Sequence, residues 1–135
     1  MALSENVKAS ILSAMTGKSQ YASIASTCYI GLLKDVSNGY IEPDLTAGYG
    51  RTLLGNYNNS AGQLMGSPTS GKITNSQIIY FPEATGDWGT VTHFGLFTSA
   101  FGGTPLLWGT LSEPVNIPEG YVPLFRVGKL SISID

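Results

Sequence analysis

The residues able to do chemistry are few in this 135-residue chain, which has one histidine and one cysteine. His93 stands inside a β-forming run, Thr90 to Phe97. A Ser/His/Asp set would need a nucleophile and a carboxylate beside it, and no spacing in the sequence supplies them. His93 therefore reads as a polar residue on the outer face of a strand whose inner face carries Phe94 and Leu96. One Cys and one His cannot build a zinc site without several carboxylates, and no Asp-rich loop has the spacing of a calcium hand. Asp35, Glu42 and Asp44 flank a loop whose ends could hold Ca²⁺, but as turn acids they need only water. Glu83 with Asp87, or Glu113 with Glu119, could form a glycosidase pair; all four lie beside Pro or Gly in expected turns. Gly48, Gly50 and Gly55 miss the spacing of a phosphate-binding loop. The expectation is a chain with no catalytic residue, no metal and no cofactor, and not an enzyme.

Aromatic residues are the stronger candidates for binding. Tyr40, Tyr49, Tyr57, Trp88 and Trp108 could each stack on a sugar ring, although the two tryptophans are better placed in or at the edge of a core, where their area counts most. Tyr57 with Asn58 and Asn59 is the candidate set for contact with a glycan.

These residues have to be positioned by secondary structure, and the pattern of the chain defines it. Val7, Ile11, Leu12 and Met15 recur at helical spacing, Ser4 can cap the helix, and Gly17 stands where it would stop, which predicts one helix over residues 4–16. After it come β-branched and aromatic runs separated by Gly, Pro, Asn and Asp. The predicted strands are Thr27 to Leu33, Gly50 to Leu54, Ser76 to Phe81, Thr90 to Phe97, Leu106 to Leu111, Tyr121 to Val127 and Lys129 to Ile134. In the last, Leu130, Ile132 and Ile134 would face a core. Ile78 to Phe81 is apolar on both faces, as in a central strand or one whose second face is covered by the helix or a partner. Residues 55–72 are rich in Asn, Ser and Gly and read as an exposed loop. The prediction is a mainly β chain: an antiparallel sandwich of about seven strands with one N-terminal helix, forming a single domain over residues 1–135.

Charge narrows the partners. Only 12% of the residues are Asp, Glu, Lys or Arg, against roughly 25% in an average soluble domain. Such a surface suggests cover by neighbours, so a homotrimer or another symmetric oligomer is expected. Val7, Ile11, Ile78 and Tyr80 are the candidate interface residues. A net charge of −2 with scattered Lys and Arg disfavours nucleic acid. No stretch approaches the ~20 apolar residues of a membrane span. Cys28 reads as a buried small side chain. The N-terminus lacks a secretory signal pattern, so the chain is expected to begin at or next to Met1.

The segment Phe81-Pro82-Glu83-Ala84-Thr85-Gly86-Asp87-Trp88-Gly89-Thr90-Val91-Thr92-His93-Phe94-Gly95-Leu96-Phe97, with Leu107-Trp108-Gly109-Thr110-Leu111 after it, resembles a family of small tailed-bacteriophage virion proteins labelled tail fibre or head decoration. Tyr29-Ile30-Gly31-Leu32, Gly48-Tyr49-Gly50-Arg51 and the close through Phe125, Gly128, Leu130 and Ile132 resemble it too, so the likeness covers nearly the whole chain. The resemblance implies a non-enzymatic structural component on the exterior of the phage head or tail, assembled in the host cytoplasm, whose partners are its own copies and capsid or tail proteins. The alternative it allows is a receptor-binding fibre module whose partner is a host surface glycan.

Overall fold

The computed structural model describes residues 2–18, 26–59 and 62–133. The chain opens with a two-residue strand β1 (Ala2–Leu3) and the helix α1 (Glu5–Met15). Ser4 caps the helix by accepting the Val7 amide on its hydroxyl at 3.3 Å. At the other end the Lys18 amide reaches back to the Ser13 carbonyl across Gly17, whose φ is +76°. That is the closing hydrogen bond of a Schellman turn. Only Val7 of the helix is buried.

Nine strands follow or frame this helix among the described residues. They are β1, β2 (Thr27–Leu33), β3 (Thr52–Asn56), β4 (Lys72–Thr74), β5 (Ile79–Tyr80), β6 (Gly89–Phe97), β7 (Leu107–Ile117), β8 (Leu124–Phe125) and β9 (Ser131–Ser133). Five make one antiparallel sheet in the order β1-β7-β6-β2-β3. The ribbons β4-β9 and β5-β8 form a second layer. Alternate residues of the main sheet, among them Ile30, Leu32, Leu54, Phe94 and Leu96, share one core with Ile79, Phe81, Leu130 and Ile132 of the second layer. The architecture is a mainly β antiparallel sandwich with a single α-helix among the described residues, as the sequence pattern predicted.

The second layer is less regular than the sequence suggests. The runs expected at Ser76 to Phe81, Tyr121 to Val127 and Lys129 to Ile134 shrink to ladders of two or three residues. Asn75 explains part of this. Its side chain is buried; its amide donates to the carbonyls of Gln77 (2.8 Å) and Arg126 (2.9 Å), and its carbonyl accepts the Leu130 amide (3.0 Å). One side chain thus replaces ladder bonds that a third strand would make. Ile79 is buried and Tyr80 exposed, so the expected two-sided apolar strand is a one-sided one. Leu130 and Ile132 face the core, while Ile134 lies outside the described residues.

Residues 55–72 also differ from a plain exposed loop. β3 runs on to Asn56, and Leu64 and Met65 are half-buried against the core. The Leu64 amide bonds the Leu54 carbonyl at 2.8 Å and Met65 bridges Asn75, so this segment covers the free edge of β3. The stretch looked featureless because its anchors are isolated residues without a period.

At the opposite edge, β1 pairs only with Leu107 and Trp108 of β7. Further along, β7 bulges: Val91 pairs with Val115 but His93 pairs with Thr110, so five steps on β7 oppose two on β6. Leu111 to Pro114 make up the excursion.

Candidate interaction surface

The Gly48-Tyr49-Gly50-Arg51 segment shows where the recognisable residues go. Gly48 ends the short 3-10 turn Leu45–Ala47 with φ +85°. A Cβ there would stand 2.9 Å from Thr85 Oγ1 and 3.0 Å from the Glu83 carbonyl oxygen. Glycine is the residue that meets both demands. Tyr49 is buried, and its hydroxyl accepts the Leu32 amide at 3.0 Å, two residues beyond the last β2–β3 pair, Ile30 with Thr52. The same hydroxyl donates to Glu42 Oε2. Arg51 grips Glu42 through two bonds, Nη2 to Oε1 at 2.6 Å and Nε to Oε2 at 3.0 Å, and donates to the Ser99 carbonyl at 2.8 Å.

Beneath Arg51 lies Phe97, with the guanidinium carbon 3.4 Å from the ring centre. The ring rests on the paired glycines Gly31 and Gly95, where added Cβ atoms would come within 3.0 and 3.1 Å of it. This stack covers the outer face of the sheet centre, so Leu33 and Phe97 are as buried as residues of the core. Burial and the bond to Glu42 hold the Tyr49 hydroxyl protonated far above the usual tyrosine range. Glu42 is thus a clamp residue between two loops, a role that its sequence position among turn acids does not reveal.

The remaining candidates are placed as follows. Asp35 accepts the Ser37 amide and hydroxyl, and Asp44 caps the 3-10 turn through the Thr46 amide; these backbone bonds, first of all, hold both carboxyls below the usual range. Among the described residues, no group of three or more His, Cys, Asp or Glu is gathered to hold a metal. His93 is half-buried, with Nδ1 2.7 Å from Thr92 Oγ1 and its ring edge-on to Trp108 at 5.8 Å. Trp88 is buried, donates to the Ala47 carbonyl and meets Tyr49 edge-on at 5.2 Å. Burial raises the Cys28 thiol to about 11. An open groove of about 550 Å³ enters the core between the β7 excursion and β8, past Phe94, Leu111, Val115 and Phe125. No described helix is long and apolar enough to cross a membrane.

The four residues expected at a partner interface fall into two separate places. Val7 is buried and Ile11 half-buried on α1, which hangs from the β1 edge. Ile78 is half-buried and Tyr80 exposed beside the other edge, where Thr52 Oγ1 of β3 donates to the Tyr80 carbonyl. Tyr57, Asn58 and Asn59 are all exposed and form one tight turn, closed by the Asn58 amide on Asn56 Oδ1 and the Asn59 amide on the Asn56 carbonyl.

Sequence reasoning missed the most exposed apolar loop residue outside that turn among the described residues. Phe101 projects from the β6–β7 connection, held by a bond from Ser99 Oγ to its carbonyl. The adjacent Gly102-Gly103 pair marks it as a turn, and an aromatic at such a tip was the available signal.

A small antiparallel sandwich whose motif residues lock its own loops is the scaffold of a structural protein, here one of the bacteriophage fibre class. Residues 2–133 match the family described as Podophage GP4 fiber I protein gp80, and the chain belongs to that family. Membership makes it a virion-associated structural protein that docks on other virion proteins. No curated protein matches the sequence.

Proposed function

We propose that the chain is a non-enzymatic structural subunit on the exterior of the phage particle, acting by association with its own copies and by docking on capsid or tail proteins. The observation that carries this is the use of its motif residues. Tyr49, Arg51, Trp88 and Gly95, which give the sequence its family character, are committed to internal bonds and packing. What they support is a rigid sandwich that presents loops and a helix. A single domain over residues 1–135 fits the shared core.

The test is a reconstruction of the intact particle in which copies of the chain are located and counted. A repeated, symmetric set in contact with capsid or tail protein is the expected result. Its absence from the particle surface would overturn the reading.

A second reading, glycan recognition, is favoured by one feature: Tyr57 is exposed next to Asn58 and Asn59, an aromatic face beside amide groups. Binding of host surface glycan that is lost in Tyr57→Ala, in a variant otherwise folded, would establish it.

A further inference from the structure

The molecule has two chemically different ends. The strands Thr27–Leu33 and Gly89–Phe97 pair so that Tyr29 meets Phe97, and Thr27 meets Asn56 at the finish of β3. Leu107, the start of β7, pairs with Leu96. The 56–59 turn, the 98–106 connection and the exit of β1 into α1 therefore share one end of the sheet. β1 runs antiparallel to β7 and leaves it there, with the Ser4 amide on the Leu106 carbonyl. The helix spans about 16 Å from that anchor.

This end presents Tyr57 (79%) and Phe101 (73%), and the helix that starts from it carries Met15 (77%) and Leu12 (61%), the four most exposed large apolar residues among those described. Residues 56–59 and 98–106 contain no charged side chain. On the helix Glu5 and Lys8 neutralise one another at 3.1 Å, and Lys18 just beyond it leaves this end at +1. The other end is acidic. Lys34, Asp35, Asp44, Glu83, Asp87 and Glu119 gather there around Trp88, five carboxylates against one ammonium, for a net −4. The Thr85 amide on the Ala47 carbonyl, the Trp88 amide on the Ile117 carbonyl, and Lys34 against Gly89 bring these segments together.

We infer that the helix-bearing end is the surface through which copies of this chain associate, all in the same orientation, with α1 packing against α1 of its neighbours and the acidic ends directed away from the shared axis. The inference rests on the self-association included in the proposed function and assigns its surface. Two features single out a second copy as the occupant. An end at +1 meets its own kind with little like-charge repulsion, whereas the opposite end, at −4, repels its own kind far more. Moreover, an 11-residue helix with only its first turn buried is marginal in water alone. Packing the Leu12 and Met15 side against identical helices gives it the apolar cover its own sheet does not.

Light scattering behind a sizing column, at about 100 µM chain, tests the assignment. The parent protein is expected at two or more times 14.3 kDa. The double variant Leu12→Glu/Met15→Glu is expected to weaken association by at least about a hundredfold, so that it elutes as a single chain. Tyr80→Glu, at the opposite sheet edge, is expected to keep the parent mass. A cooperative thermal unfolding transition in each would show that both variants are folded. A parent of 14.3 kDa overturns the inference and leaves the fibre reading to the particle reconstruction. A parent oligomer that survives the helix substitutions, or that Tyr80→Glu dissolves, overturns the helix end as the interface while self-association stands.

Discussion

At the scale of single residues, Asn75 and Cys28 behave in ways their types alone would not announce. Asn75→Ala removes four side-chain bonds and leaves the buried Leu130 amide without its partner, while the Arg126 carbonyl keeps the Lys129 amide. Buried groups left without partners are costly, and the expected loss is about 3 kcal/mol, read from denaturant unfolding. Asn75→Asp keeps only the acceptor and is expected to be destabilised too. Cys28, with its thiol near 11, carries about one thiolate in a thousand at pH 8. A disulfide exchange reagent should therefore leave the native protein unlabelled over the time in which it labels the unfolded chain fully. Asp35 and Asp44 contribute to the acid response. Their carboxyls are held below the ordinary range, so what they contribute is present above the unfolded pKa and is lost as pH falls through the lower folded one. Asp44→Asn should flatten the decline of the unfolding midpoint below about pH 4.

Among elements, the clamp from Glu42 to Arg51 joins the loop before the 3-10 turn to β3 and, through Ser99, to the β6–β7 connection. The Arg51 side chain is almost fully buried. Glu42→Ala leaves that guanidinium unpaired, which should cost about 3 kcal/mol. Replacing both partners, Glu42→Leu with Arg51→Met, should recover most of the loss, because breaking one half of a buried pair is worse than removing the whole. Thermal unfolding of the two variants beside the parent would decide it. The helix, the strands Thr27 to Leu33 and Thr90 to Phe97, and the inward-facing Leu130 and Ile132 were legible because period, caps and turns agree at those places. Glu42, Asn75 and the anchors at Leu64 and Met65 were not, because each acts through partners distant in sequence: Arg51 nine residues away for Glu42, and Leu130 fifty-five for Asn75. The glycan and interface candidates had only their types to commend them, and the structure supplied the ends and edges on which they stand.

For the whole molecule, the low charge of the sequence becomes an uneven distribution: an apolar end and an acidic end. Association through the apolar end should be nearly indifferent to ionic strength, since little of it depends on screened charge. Raising NaCl from about 50 to about 500 mM should leave the scattering mass unchanged; a mass that falls with salt would indicate charged contacts instead. Chains gathered side by side also bring their strand edges within reach of one another. Beyond Trp108, no described strand pairs with the outer side of β7, and a straight, unpaired strand is a template on which further chains can grow into fibrils. The excursion Leu111-Ser112-Glu113-Pro114 spoils that template, with a bend, a charge and a proline that has no amide to offer. Removing Ser112 to Pro114 would bring β7 back into step with β6, and the price should be a protein that gels or forms thioflavin-binding filaments on storage where its parent stays clear.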